Sequence, residues 1–64
     1  MTIQDDSRLL KVEEVAEHLN VSRWTVYRLI KERELTSVKV RNGRRVPLQS
    51  IRAYVAGLIE DVAS

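Results

Sequence analysis

One short run of this 64-residue chain, Ser22-Arg23-Trp24-Thr25-Val26-Tyr27-Arg28, crowds arginine, aromatic and hydroxyl groups together, with Lys31 three residues on. A guanidinium presents a planar fork of donors that fits phosphate oxygens or the O6/N7 edge of guanine. Residues along a helix turn by about 100° each. Trp24, Arg28 and Lys31 therefore share one face of a helix, with Thr25 and Tyr27 on its flanks. Ser22 caps that helix, and the amides of its first turn can hold a phosphate. A second basic group follows, in which Lys39, Arg41, Arg44 and Arg45 surround Asn42-Gly43. The chemistry open to these residues is recognition of anions and of base edges.

The charge distribution points the same way. The net charge is only +2. Residues 1–20 hold two basic and five acidic side chains, residues 21–52 nine basic and two acidic, and residues 53–64 two acidic. The segments carry −3, +7 and −2, and eight of the eleven basic residues are arginine. A block this lopsided in so short a chain fits a nucleic-acid partner.

Other chemistries lack their parts. No cysteine is present, which excludes disulfides and thiolate metal sites. His18 is the sole histidine, beside Glu14 and Glu17, and reads as a surface residue of a helix, not a metal ligand. Ser22 has no base paired with it by sequence, so it is a cap and not a nucleophile. Gly43 and Gly57 are the only glycines, too few for a phosphate-cradling loop. A chain this short buries about 60% of its unfolded surface. That leaves one thin core and no room for a cofactor or small-molecule ligand. We expect no catalytic residue, no metal, no cofactor and no enzymatic activity. The longest uncharged stretch, residues 53–59, is far short of a membrane span. Residues 1–7 lack the basic start of a secretory signal. A cytoplasmic location follows as an expectation.

The elements that must position the basic groups can be read from periodicity. Val12, Val15, Ala16 and Leu19 recur at i, i+3, i+4 and i+7 and predict a first helix. Glu13 and Glu14 suit the positive end of its dipole. Leu10 and Val15 are spaced as a staple across a cap at Lys11, and Asn20 suits the left-handed stop. Ser22 starts a second helix expected to run to about Arg33, with Val26, Leu29 and Ile30 inward. Thr36 to Val40 alternates with Val38 and Val40 on one face. Asn42-Gly43 predicts the hairpin turn, because both residues accept positive φ. Pro47 ends the second strand. Leu48, Ile51, Val55, Leu58, Ile59 and Val62 form the apolar stripe of a last helix. Ala53, Ala56 and Gly57 form a small-residue patch on its outer side. Residues 1–8 are expected as a flexible tail and residues 9–64 as a single domain.

Two helices joined by a turn of about three residues, the second basic on its outer face, make a helix-turn-helix. The basic hairpin beside it is a wing, suited to the backbone or the neighbouring minor groove. The fold class expected is mainly α with a small β-hairpin, a winged helix-turn-helix. The run from Leu9 to Ile30, together with Arg45-Val46-Pro47, Ile51 and Tyr54-Val55, resembles the excisionase-type winged helix-turn-helix family, related to the DNA-binding heads of MerR-like regulators. The resemblance spans residues 9–56. It puts Ser22, Arg23, Trp24, Thr25, Tyr27 and Arg28 on recognition-helix positions and Arg41, Asn42, Gly43 and Arg44 on the wing. Glu14 and Ala16 fall on positions that shape the first helix. In this sequence Lys11 stands at the usual Thr or Ser cap. Arg33 stands at the usual Gly after helix two, which predicts a strained or lengthened exit. Thr36 replaces a common Pro, and Trp24 a small polar residue.

The resemblance implies a phage-type recombination directionality factor without catalytic activity. It would bind repeated duplex sites at attachment DNA beside neighbouring protomers, bend them, and help a tyrosine integrase excise, on DNA in a bacterial host. A small transcription regulator at a promoter is the alternative, and a protein-interaction module with a basic face is the alternative of another class.

Overall fold

The computed structural model describes the backbone of residues 8–63 and the side chains of residues 8–60. Of the expected tail, residues 1–7 lie outside the described residues. Arg8 is tied to the domain by its carbonyl, which accepts the Leu48 N–H at 2.8 Å. The order of elements is β1 (Leu9–Lys11), α1 (Val12–Leu19), α2 (Arg23–Lys31), β2 (Val38–Val40), β3 (Gly43–Pro47) and α3 (Leu48–Ala63). Three helices and a small antiparallel sheet make a mainly helical winged helix-turn-helix, as the sequence predicts.

Local signals set the helix-turn-helix. The Lys11 side chain makes no cap bond, but its backbone N–H donates to Glu14 Oε1 at 2.8 Å, so Glu14 supplies half a capping box. Asn20 takes the left-handed conformation (φ 58°, ψ 46°), and the Val21 N–H returns to the Ala16 carbonyl at 2.9 Å. Ser22 Oγ accepts the Thr25 N–H at 3.1 Å and opens α2. The exit of α2 is strained rather than lengthened. The helix stops at Lys31, and Arg33 adopts φ 63° while the Glu34 and Leu35 N–H groups close on the Leu29 carbonyl. The same backbone costs a residue with a Cβ roughly 1–2 kcal/mol.

The sheet differs from a bare hairpin. β3 is central, with β1 and β2 antiparallel on either side. Leu10 faces Val46, so the segment read as a staple also pairs as a strand. β2 begins at Val38, later than Thr36, because the Thr36 N–H donates to Ser50 Oγ of α3 at 2.8 Å. The turn also moves. Val40 pairs with Gly43, which makes Arg41-Asn42 the two loop residues. Arg41 carries the positive φ (55°); Asn42 and Gly43 do not.

The core consists of Leu10, Val12, Val15, Ala16, Val26, Leu35, Val46 and Ile51, with Leu19, Leu29, Ile30, Leu48, Tyr54 and Val55 packed against it. Fully burying one such aliphatic side chain contributes about 1.5–3 kcal/mol. Leu35, the largest class of these and fully enclosed, locks the α2–β2 connection down. The expected stripe of α3 is covered only in its first half. Leu58 and Ile59 are 47% and 63% exposed. Val62 lies outside the residues whose side chains are described. Ala53, Ala56 and Gly57 are exposed. No described helix is long and apolar enough to cross a membrane.

Candidate nucleic-acid interface

The two helices of the turn differ at their N-termini in a way that matters for an anionic partner. The first turn of α1 carries Glu13 and Glu14, whereas that of α2 carries no acid. A helix N-terminus holds about half a positive charge on amides without helical partners. Carboxylates offset it in α1. In α2 it stays electropositive and is flanked by Arg23. The Ser22 hydroxyl is spent locally, on the Thr25 amide and on Thr25 Oγ1 at 3.1 Å.

Beyond that turn, Trp24, Arg28 and Lys31 lie along one exposed side of α2. Trp24 is 83% exposed, the least covered of the large apolar side chains among the described residues. With Thr25, Tyr27, Arg28 and Lys31 it lines a shallow hollow on the helix surface. Val26, one step from Thr25, is fully buried, and this anchors the helix with that face outward. Arg28 Nε donates to Glu32 Oε2 at 3.3 Å, and both side chains are more than half exposed. Such an i,i+4 pair contributes about 0.3–0.5 kcal/mol, enough to bias the rotamer and too little to lock it. The terminal nitrogens of Arg28 remain available for a base edge.

The wing residues do not form one surface. Side chains alternate across a strand, and the register pairs Lys39 with Arg44, and Val38 with Arg45. Lys39 and Arg44 share the sheet side of Leu10 and Val46, toward the helices. Arg45 shares the other side with Val38 and with its β1 partner Lys11. Its Nη1 donates to the Arg44 carbonyl at 3.0 Å, so it lies back along its own strand. Arg41 and Asn42 are exposed at the tip, and Gly43 is half-buried just inside it. A Cβ on Gly43 would meet only the movable end of Arg45. Arg44 Nη1 donates to Ser37 Oγ at 3.2 Å.

Arg44 also completes a groove between α2 and the hairpin. Tyr27, Ile30 and Lys31 contribute from α2, and Arg33, Leu35, Thr36 and Ser37 from the connecting segment. Arg33, Thr36 and Ser37 are not among the sequence-predicted site residues. Arg33 stood out only as a non-glycine at a glycine position. Among the described residues no group of three or more His, Cys, Asp or Glu side chains could hold a metal ion. His18 is exposed on α1.

Comparison with known proteins places this geometry in context. A helix-turn-helix domain family matches residues 9–58. An excisionase of Streptomyces ambofaciens is 45% identical over 47 residues, covering 73% of this chain and 76% of that protein. A probable excisionase of Saccharopolyspora erythraea is 41% identical over 51 residues, covering 80% of this chain and 52% of its own length. An uncharacterized protein of Mycobacterium tuberculosis is 41% identical over 54 residues, covering 84% and 47%. The chain thus spans most of the first relative and about half of the other two.

Proposed function

Because the chain belongs to the excisionase-type helix-turn-helix family, whose members bind DNA and are not enzymes, we propose that it is an architectural factor for excision. It binds repeated duplex sites at attachment DNA, bends them beside neighbouring protomers, and assists a tyrosine integrase in the bacterial cytoplasm. α2 lies in the major groove with Arg23, Trp24, Thr25, Tyr27 and Arg28 toward base edges. The first-turn amides that the Ser22 cap leaves open meet a phosphate beside Ser22, and Lys31 follows the strand. On the wing, Lys39, Arg41, Asn42, Gly43 and Arg44 approach the adjacent backbone or minor groove. Arg45 contributes from the reverse side of the sheet.

The observation that carries the reading is the outward face of α2. It joins an uncompensated helix N-terminus to Arg23, Arg28, Lys31 and a bare tryptophan. A solvated helix face needs no such aromatic.

A footprint titration tests the role, with probes covering candidate attachment junctions and the promoter of the protein's own gene. Evenly spaced sites in one direction at the junctions, about one helical turn apart, are the expected result. One site confined to the promoter would make the protein a transcription regulator instead. Absence of protection on every duplex at low salt would leave the basic face to a protein partner.

A further inference from the structure

The groove between α2 and the hairpin is lined by three cations, and one of them, Arg33, has no part in the helix and wing contacts described above. Lys31, Arg33 and Arg44 border it, with Thr36 and Ser37 between them, and no carboxylate lines it. Neither Lys31 nor Arg33 forms an ion pair among the described residues. Arg33 stands on the ridge between this groove and a hollow beside α3 that carries Glu34 and Glu60, yet no bridge closes on that side either.

Two considerations give the groove an occupant. The first is geometric, and rests on the DNA-binding reading above. A helix in the major groove and a hairpin at the adjacent minor groove stand on either side of one phosphodiester strand, because that strand is what separates the two grooves. The space between α2 and β2–β3 must then receive it. The second is the backbone at Arg33. Its φ of 63° is the conformation glycine adopts without strain. Strain of this kind persists where surrounding structure imposes it, and it gathers at functional sites. Here the stop of α2 imposes it, through the Arg33 and Glu34 N–H bonds to the Ile30 and Leu29 carbonyls, and the residue that bears it is a cation lining the groove.

We propose that Arg33 is a phosphate-contacting residue for the sugar–phosphate backbone of the DNA strand seated in this groove, and that this contact is why an arginine stands where the stop of α2 favours glycine. Lys31 and Arg44 flank the same strand. The Ser37 hydroxyl, which accepts from Arg44 in the unbound protein, orients that guanidinium across the groove. The ligand class is the polyanionic backbone, so this contact adds affinity without choosing sequence.

Arg33→Gly tests both halves of the proposal. Removing the strain should raise the melting temperature by roughly 4 °C. Removing the charge should lower the slope of log K against log salt by about 0.9 and weaken binding roughly eightfold at 0.1 M salt. That loss should be equal on a footprinted site and on an unrelated duplex. Arg33→Lys should keep the slope and gain no stability. An Arg33→Gly protein with wild-type affinity and slope would overturn the clamp. A variant that melts below wild type would overturn the strain argument, since arginine would then be serving the fold. Failure of the wild-type protein to bind any duplex at low salt is a separate outcome. It would remove the DNA-binding reading on which the clamp rests.

Discussion

Trp24 offers the sharpest separation between a working surface and an idle one. The chain has a single tryptophan, so its intrinsic emission reports on this one side chain. At 83% exposure it contributes almost nothing to the core. An aromatic of this size presents about 200 Å² or more when uncovered. If docking covers half of that, about 100 Å² at ~25 cal/mol/Å² is worth ~2.5 kcal/mol. Ordering the side chain takes back about 0.5–1.5 kcal/mol. The net is about 1–2 kcal/mol, or roughly five- to thirtyfold in Kd. Trp24→Ala should therefore lose that much affinity for a footprinted duplex while its unfolding free energy stays within about 0.5 kcal/mol of wild type. Fluorescence anisotropy of labelled duplex gives the first quantity and urea denaturation the second. In the wild-type protein, tryptophan emission should shift as the duplex is added, saturating with the anisotropy. Duplex that binds without altering the emission, together with a Trp24→Ala affinity within twofold of wild type, would refute the assignment of this face.

Two further outcomes follow from the geometry. Arg28→Ala should reduce discrimination between DNA sequences by about 1–3 kcal/mol if its terminal nitrogens read a guanine. Competition titrations would measure this, and an equal loss on all duplexes would make Arg28 a phosphate contact. Leu35→Ala should cost about 2.7–5 kcal/mol, a large share of what a chain of this size has, whereas Leu58→Ala should cost about 0.5 kcal/mol or less. Equal costs in urea denaturation would mean that the far half of α3 is covered in solution.

What the sequence disclosed divides by the range of the interaction responsible. Asn20, Ser22 and Pro47 act on their own backbone or on residues within a turn, and the structure uses each as the sequence predicts. The outward direction of Trp24 was equally legible, because helical rotation relates it directly to buried Val26. The hairpin was placed less well. Asn42-Gly43 and Arg41-Asn42 turns differ in register by two residues, so both keep Val38 and Val40 on the same face and the alternation pattern cannot choose between them. The choice comes from residues far along the chain. Thr36 is tied to Ser50, and Leu35 is drawn into the core. Leu35 itself sits in the polar run Glu32-Arg33-Glu34-Leu35-Thr36-Ser37, where a single apolar residue has no period to reveal it. Leu58 and Ile59 show the reverse. Periodicity identifies which side chains share a helix face, and it is silent on whether another element covers them.

The places where the backbone departs from its local preference are informative about the interface as a whole. Among the described residues, three with side chains take positive φ. At the turn between α1 and α2 the residue is asparagine, which tolerates that conformation well. At the stop of α2 and in the hairpin loop the residue is arginine, which does not. Glycine would be cheaper at both Arg33 and Arg41, by roughly 1–2 kcal/mol each. The helix stop and the hairpin loop require the backbone at these positions, but in a domain whose total stability is a few kcal/mol the choice of arginine over glycine at both does not serve the fold. Sequence and fold agree elsewhere in the chain at the level of caps, core and register, and local conflict of this sort is expected where a surface serves a partner. Arg33 lines the groove with Lys31 and Arg44, and Arg41 stands at the hairpin tip. Arginine in place of glycine at both positions is what the proposed contact with a phosphodiester strand would require, and neutral substitutions that left the salt slope unchanged at both would remove that reason.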